Sequence, residues 1–279
     1  MSLSKFNISR QIRFGKGEAK APTIVLIGRR DTGKSCLVRD ILSHFTELPL
    51  GTVISGTEEG NGFYGTMVPR MFIHTEYRSD IIGKILKRQK KVVAEMHAEM
   101  NRRGACDIDA RNFVIMDDCL YDDSWARDKL MRLIFMNGRH WKIMLVITMQ
   151  YPLGIPPALR SNIDFVFILR NNITKDRMRI YENYAGMFPT FESFCQVMDQ
   201  CTNNYECLVI ANNVQSNELN KQVFWYKADN NRPPFRLGLD EFWTLSERIR
   251  VADHEDEFDP ANFKKRAAGP KIHVRKIKM

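Results

Sequence analysis

The feature that most constrains this chain is an apolar run that stops at a glycine and opens into a basic, glycine-framed loop. Thr23-Ile24-Val25-Leu26-Ile27 reads as a buried strand. Gly28-Arg29-Arg30-Asp31-Thr32-Gly33-Lys34-Ser35 follows and fits the pattern G-x-x-x-x-G-K-[ST]. Cys36-Leu37-Val38-Arg39-Asp40-Ile41-Leu42 continues at helical spacing. A loop of this kind wraps around phosphate with its backbone N–H groups pointing inward, and glycine permits that path. The helix behind it aims its positive end at the anion. Gly28 through Cys36 are therefore expected to bind the phosphates of ATP. Lys34 is expected to reach the β and γ phosphates, and the Ser35 hydroxyl to hold Mg²⁺.

Hydrolysis needs acids and polar groups at the same end of the sheet. Asn112 to Met116 reads as a strand ending in Asp117-Asp118. A carboxylate there sits at the C-terminal edge, where open α/β sheets bind ligands. Asp117 is expected to support the metal through water, and Asp118 to polarise the attacking water. A plain turn or helix cap is the structural alternative. Ile143 to Thr148 reads as another strand, with Gln150 after it as the candidate sensor of the γ-phosphate. Arg160 and Arg170 bracket the strand Asp164 to Leu169. Either is a candidate for the cation that a neighbouring subunit lends to the γ-phosphate, Arg160 first because its loop follows Gln150, and either is otherwise a surface cation.

Counting Gly51 to Ser55, five apolar strands alternate with helices. That pattern predicts a mainly parallel sheet covered on both faces. Helices are expected at 81–100, 124–139, 174–186, 190–201 and 240–250. Strands at Glu206 to Ala211 and Gln222 to Lys227 are expected to extend the same sheet. Residues 1–20 read as a basic arm, 21–252 as one α/β domain, and 253–279 as a basic tail. The glycine-rich segment 56–70 carries Glu58, Glu59, Phe63 and Tyr64. The acids read as a solvated turn or a coupling element, and the aromatics as core anchors or base-stacking groups.

The chain has 279 residues and a net charge of +9, which favours a polyanionic partner. The basic face Lys84, Lys87, Arg88, Lys90 and Lys91 is a nucleic-acid candidate or simply a solvated helix face. No apolar run approaches the ~20 residues of a membrane span, and no secretory leader is apparent. The sequons at Asn7 and Asn172 are accordingly read as incidental. Six cysteines without a C-x-x-C pair read as reduced thiols in a reducing compartment: cytosol, nucleus or a viral factory in the host cytoplasm.

With these residues placed, the chain resembles the genome-packaging ATPases of large double-stranded DNA viruses, the poxvirus-like branch of the FtsK–HerA superfamily. The resemblance rests on GRRDTGKS at 28–35, FVIMDDC at 113–119, ITMQY at 147–151 and LRSNIDFVFILR at 159–170, and covers about residues 22–170. It implies a RecA-like core with one strand between the phosphate-loop strand and the Asp-Asp strand. It also implies ATP-driven movement of double-stranded DNA into a capsid by a homo-oligomeric ring, a hexamer or pentamer, working against a capsid or portal-like vertex. By position, Lys34, Ser35 and Asp117 would hold phosphate and metal, Gln150 would be the sensor and Arg160 the inter-subunit finger. Asp118 stands where cellular relatives carry glutamate. Two rival readings remain: a P-loop nucleotide or polynucleotide kinase, and a nucleotide-gated DNA-binding or scaffold protein.

Overall fold

A computed structural model describes residues 2–17, 20–119 and 124–255. The chain forms two compact units, residues 1–239 and 240–279. Of the second unit the described part is the helix Asp240–Glu255. The basic tail expected over 253–279 lies, beyond that helix, outside the described residues.

The first unit is an α/β fold around an eight-stranded sheet. Its strands are β1 Thr23–Ile27, β2 Gly51–Ser55, β3 Ile73–His74, β4 Asn112–Asp117, β5 Ile143–Met149, β6 Phe165–Ile168, β7 Glu206–Ala211 and β8 Val223–Lys227. Its helices are α1 Ile8–Gln11, α2 Lys34–Ser43, α3 Glu58–Asn61, α4 Ser79–Arg103, α5 Ser124–Arg127, α6 Lys129–Asn137, α7 Pro157–Arg160, α8 Thr174–Tyr184, α9 Phe191–Cys201 and α10 Leu219–Gln222. The strand order is β3-β2-β4-β5-β1-β6-β7-β8. All pairs from β3 to β6 are parallel, and β7 and β8 add antiparallel. One strand, β5, thus lies between the phosphate-loop strand and the Asp-Asp strand, as the resemblance implies. The expected helix at 124–139 is two pieces, because Asp128 caps the second by accepting from the Leu130 N–H.

The sheet is apolar on both faces because it is buried on both. Val25 and Ile27 belong to one core cluster, and Ile24 and Leu26 to the other, as the two-residue strand period requires. The first face is covered by α4, α6, α8 and α9 through residues such as Ile82, Ile134, Ile180 and Phe194. The second face receives α2 through Leu37, Val38, Ile41 and Leu42.

That second face is closed by the segment read from the sequence as a basic arm. Phe6, Ile8, Ile12 and Phe14 are all buried there. The Phe6 ring meets Phe165, Phe167 and Phe224 edge-on at 5.7, 5.5 and 5.6 Å. The Phe6 N–H donates to the Trp225 carbonyl at 2.8 Å, so the segment also pairs with the outer strand β8. Residues 4–14 are part of the folded unit and not a free arm. The reason is burial: a single helix on this face would leave the aromatic end of the sheet in water.

Candidate nucleotide site

The candidate phosphate loop is built at the carboxyl end of β1. Gly33 has φ 94°, a conformation open to glycine, and it delivers the chain into α2 at Lys34. A Cβ on Gly28 would stand 2.7 Å from the Thr32 hydroxyl and 2.9 Å from Leu169, so the first position is closed to larger residues by close approach. Thr32 holds the turn by donating to the Arg29 carbonyl at 2.7 Å.

The Lys34 ammonium bends back over the loop and donates to the carbonyls of Gly28 at 2.7 Å and Arg29 at 2.8 Å. Burial lowers its pKa from the ordinary lysine value; Asp118 and Asp117 oppose the shift and Arg30 adds to it. The three charges expected to act together are therefore neighbours.

Asp117 closes β4 with its carboxylate buried. One oxygen accepts from the Thr148 hydroxyl and the other from Ser55 at 3.4 Å. Thr148 is also the acceptor for the Asp118 N–H at 3.1 Å. Asp118 has φ 52°, the left-handed conformation that aspartate tolerates better than most residues. This turn swings its side chain to the Gln150 amide, which donates to the Asp118 carboxylate. Parallel register explains the convergence: Asp117 lies opposite both Ser55 on β2 and Thr148 on β5. Asp117 has no ion-pair partner among the described residues, and buried carboxylates are rarely left without compensation. Hard oxygen donors, the Ser35 hydroxyl and the Asp117 carboxylate, match what Mg²⁺ takes from protein beside phosphates and water.

Two clefts flank this centre and share Arg30 and Gln150. The larger, about 680 Å³, also borders on Thr57, Glu59, Asp118 and Tyr151. The smaller, about 500 Å³, borders on Arg29, Asp31, Thr32 and Arg170. Arg170 thus stands at the phosphate loop of its own chain, with its Nε donating to Asn172 at 3.1 Å. Arg160 does not join them. Its guanidinium donates to the Ile155 carbonyl at 2.9 Å and to Asn183, and lies over the Tyr184 ring at 5.6 Å. It borders a different cleft with Asn212, which follows β7 at the sheet edge opposite the phosphate loop.

Thr148 and Ser55 are not marked as site residues by any sequence motif; their signal is a hydroxyl at the end of a strand next to the Asp-Asp strand. Tyr64 is core, 1 % exposed, and burial beside Asp117 holds its phenol well above the ordinary range. Glu58 accepts from the Tyr64 and Gly65 N–H groups at 2.8 and 2.7 Å, a structural brace for this segment. Part of the basic face of α4 is engaged locally: Lys84 pairs with Asp80 at 3.1 Å, and Lys90 lies over Trp141 at 4.7 Å.

No protein-family model matches the chain. It is 35% identical over 266 residues to protein L437 of Acanthamoeba polyphaga mimivirus, spanning 92% of each chain. It is 40% identical over 207 residues to protein 075L of Invertebrate iridescent virus 6, spanning 74% of this chain and 76% of that one. Its fold matches B204, the DNA-packaging ATPase of Sulfolobus turreted icosahedral virus, with a TM-score of 0.50 at 14% identity over 76% of this chain and 100% of that one. The chain therefore belongs to the family of large-DNA-virus proteins that includes mimivirus L437 and iridescent virus 075L, built on the fold of the viral genome-packaging ATPases that its motifs resemble.

Proposed function

We propose that the chain is an ATP-hydrolysing motor that moves double-stranded DNA into a viral capsid, acting as a homo-oligomeric ring at a capsid or portal-like vertex. The observation that carries the reading is the convergence of Lys34, Asp117, Asp118 and Gln150 at the carboxyl edge of one sheet. The loop N–H groups and Lys34 would grip the triphosphate. Ser35 and Asp117 would hold Mg²⁺, which when bound neutralises charge on the β and γ phosphates. Asp118 accepts a hydrogen bond from the attacking water, and Gln150, already bonded to that carboxylate, fixes where the water sits. Arg170 supplies positive charge from the same chain. Arg160 contacts Ile155 and Tyr184 away from its own loop, which leaves it as the candidate group for a neighbouring subunit's site. The viral family and the likeness of fold to a DNA-packaging ATPase support DNA as the cargo. A host-cytoplasmic viral factory is the compartment this reading implies; among the described residues no helix is long and apolar enough to cross a membrane.

The test is steady-state ATP hydrolysis with and without duplex DNA, with Arg160→Ala subunits titrated into wild type. The reading expects stimulation by duplex DNA and a loss of activity steeper than the fraction of mutant subunits. Because each variant subunit disables one shared site, activity that falls in simple proportion to dilution would exclude coordinated hydrolysis around a ring.

A further inference from the structure

One exposed aromatic side chain at the phosphate loop has no part in the chemistry above. Tyr205 sits in the turn between α9 and β7 and is 66 % exposed. Because β7 runs antiparallel to β6, its first residues share the sheet edge with the phosphate loop. The ring stands against that loop: a Cβ on Gly33 would lie 3.3 Å from the Tyr205 Cδ1. The backbone holds it there under strain. Asn204 and Tyr205 have φ 51° and 63°, two successive left-handed residues, and tyrosine adopts that conformation rarely. The turn is well anchored: the Thr202 hydroxyl donates to the Met198 carbonyl at 2.7 Å, Asn203 to the Asp199 carbonyl at 2.6 Å, and the Glu206 N–H to the Asn203 carbonyl at 2.9 Å. An anchored, strained turn that presents a ring to solvent is not explained by core packing.

The direction of the phosphate chain gives the ring a task. Asp117, Asp118 and Gln150 lie at the ends of β4 and β5, on one side of β1. A triphosphate whose γ-phosphate faced that side would run its nucleoside to the other side of β1, toward β6 and β7, where Tyr205 stands. We infer that Tyr205 is the base platform of this site, its ring stacking on the nucleobase of the triphosphate whose phosphates the Gly28–Ser35 loop holds. The inference rests on the proposed triphosphate chemistry of that loop. Stacking on an aromatic face tolerates any base, so Tyr205 contributes affinity for a nucleotide over bare polyphosphate and little choice between adenine and guanine.

Calorimetry of the full chain with Mg·ATP and with Mg·tripolyphosphate separates the two claims. Tyr205→Ala is expected to weaken ATP about 10- to 100-fold. Tripolyphosphate, which has no base, is expected to bind the variant within about twofold of wild type, and that also reports an intact loop. Tyr205→Phe is expected to keep the ATP affinity. If Tyr205→Ala binds ATP as wild type does, or loses both ligands equally, the platform is refuted and the ring merely props Gly33. If wild type binds neither ligand, the loop reading itself fails and the platform with it.

Discussion

Thr148→Val tests how Asp117 and Asp118, the proposed metal-holding and water-activating acids, are held. The substitution keeps the size and β-branching that suit β5 and removes one hydroxyl. That hydroxyl donates to the buried Asp117 carboxylate and accepts the Asp118 N–H at 3.1 Å. Losing a hydrogen bond to a charged group costs about 1.5–3 kcal/mol, and an N–H left unpaired about 1–3 kcal/mol, toward the lower figure here because Asp118 is only part-buried. Asp117 keeps Ser55 as a donor at 3.4 Å, which recovers some of the loss. The expected net destabilisation is roughly 2–4 kcal/mol. For a unit of this size that lowers the melting temperature by about 5–15 °C. Thr148→Ser keeps the hydroxyl and gives up one methyl, about 1 kcal/mol. Thermal unfolding of both variants, with ATP hydrolysis measured below the transition, is the assay. Thr148→Val is expected to be clearly the less stable and to lose hydrolysis as Asp118 leaves its left-handed turn. Equal melting and equal turnover in the two variants would refute the claim that this hydroxyl ties the acids together.

Phe6→Ala is expected to cost about 3–5 kcal/mol in urea unfolding, because the ring is 1 % exposed among four aromatic neighbours. Arg10→Ala on the same segment, an exposed position, is expected to change stability by less than about 0.5 kcal/mol; equal effects would mean the segment does not pack. Asp118→Asn is expected to lower hydrolysis about 10²- to 10⁴-fold while leaving Mg·ATP affinity within a few-fold by filter binding; unchanged turnover would refute Asp118 as the group that activates the water. Lys34 also predicts a proton linkage. Burial holds its pKa in the free protein below the ordinary lysine value, and bound phosphate raises it, so ATP binding takes up a proton at alkaline pH. Calorimetry in alkaline buffers of different ionisation enthalpy is expected to show that uptake; a binding enthalpy that does not depend on the buffer would contradict it.

What the sequence discloses here follows what its local patterns can carry. A strand, a glycine loop and a helix are contiguous, so Gly28 to Ser35 is legible as one unit. Asp117 and Gln150 are legible because each closes an apolar run. Thr148 and Ser55 are not, since only strand order and register bring them to Asp117, and neither is written in local periodicity. The N-terminal segment misleads for a related reason. Phe6, Ile8, Ile12 and Phe14 are too few and too irregular to show a helical or strand period, and the basic residues between them dominate the composition. Their burial is decided by an open sheet face contributed from far along the chain. The arginines depend on strand order in the same way: the parallel strand β6 carries Arg170 to the loop of its own chain, which its place in the sequence does not show.

Titrating the folded chain with Mg·ATP in a calorimeter, beside Lys34→Ala, bears on the central claim most directly. Saturable uptake of one nucleotide per chain by wild type, lost in the variant while its fold by circular dichroism is retained, is the predicted result. No uptake by folded wild type, or equal uptake by Lys34→Ala, would contradict it.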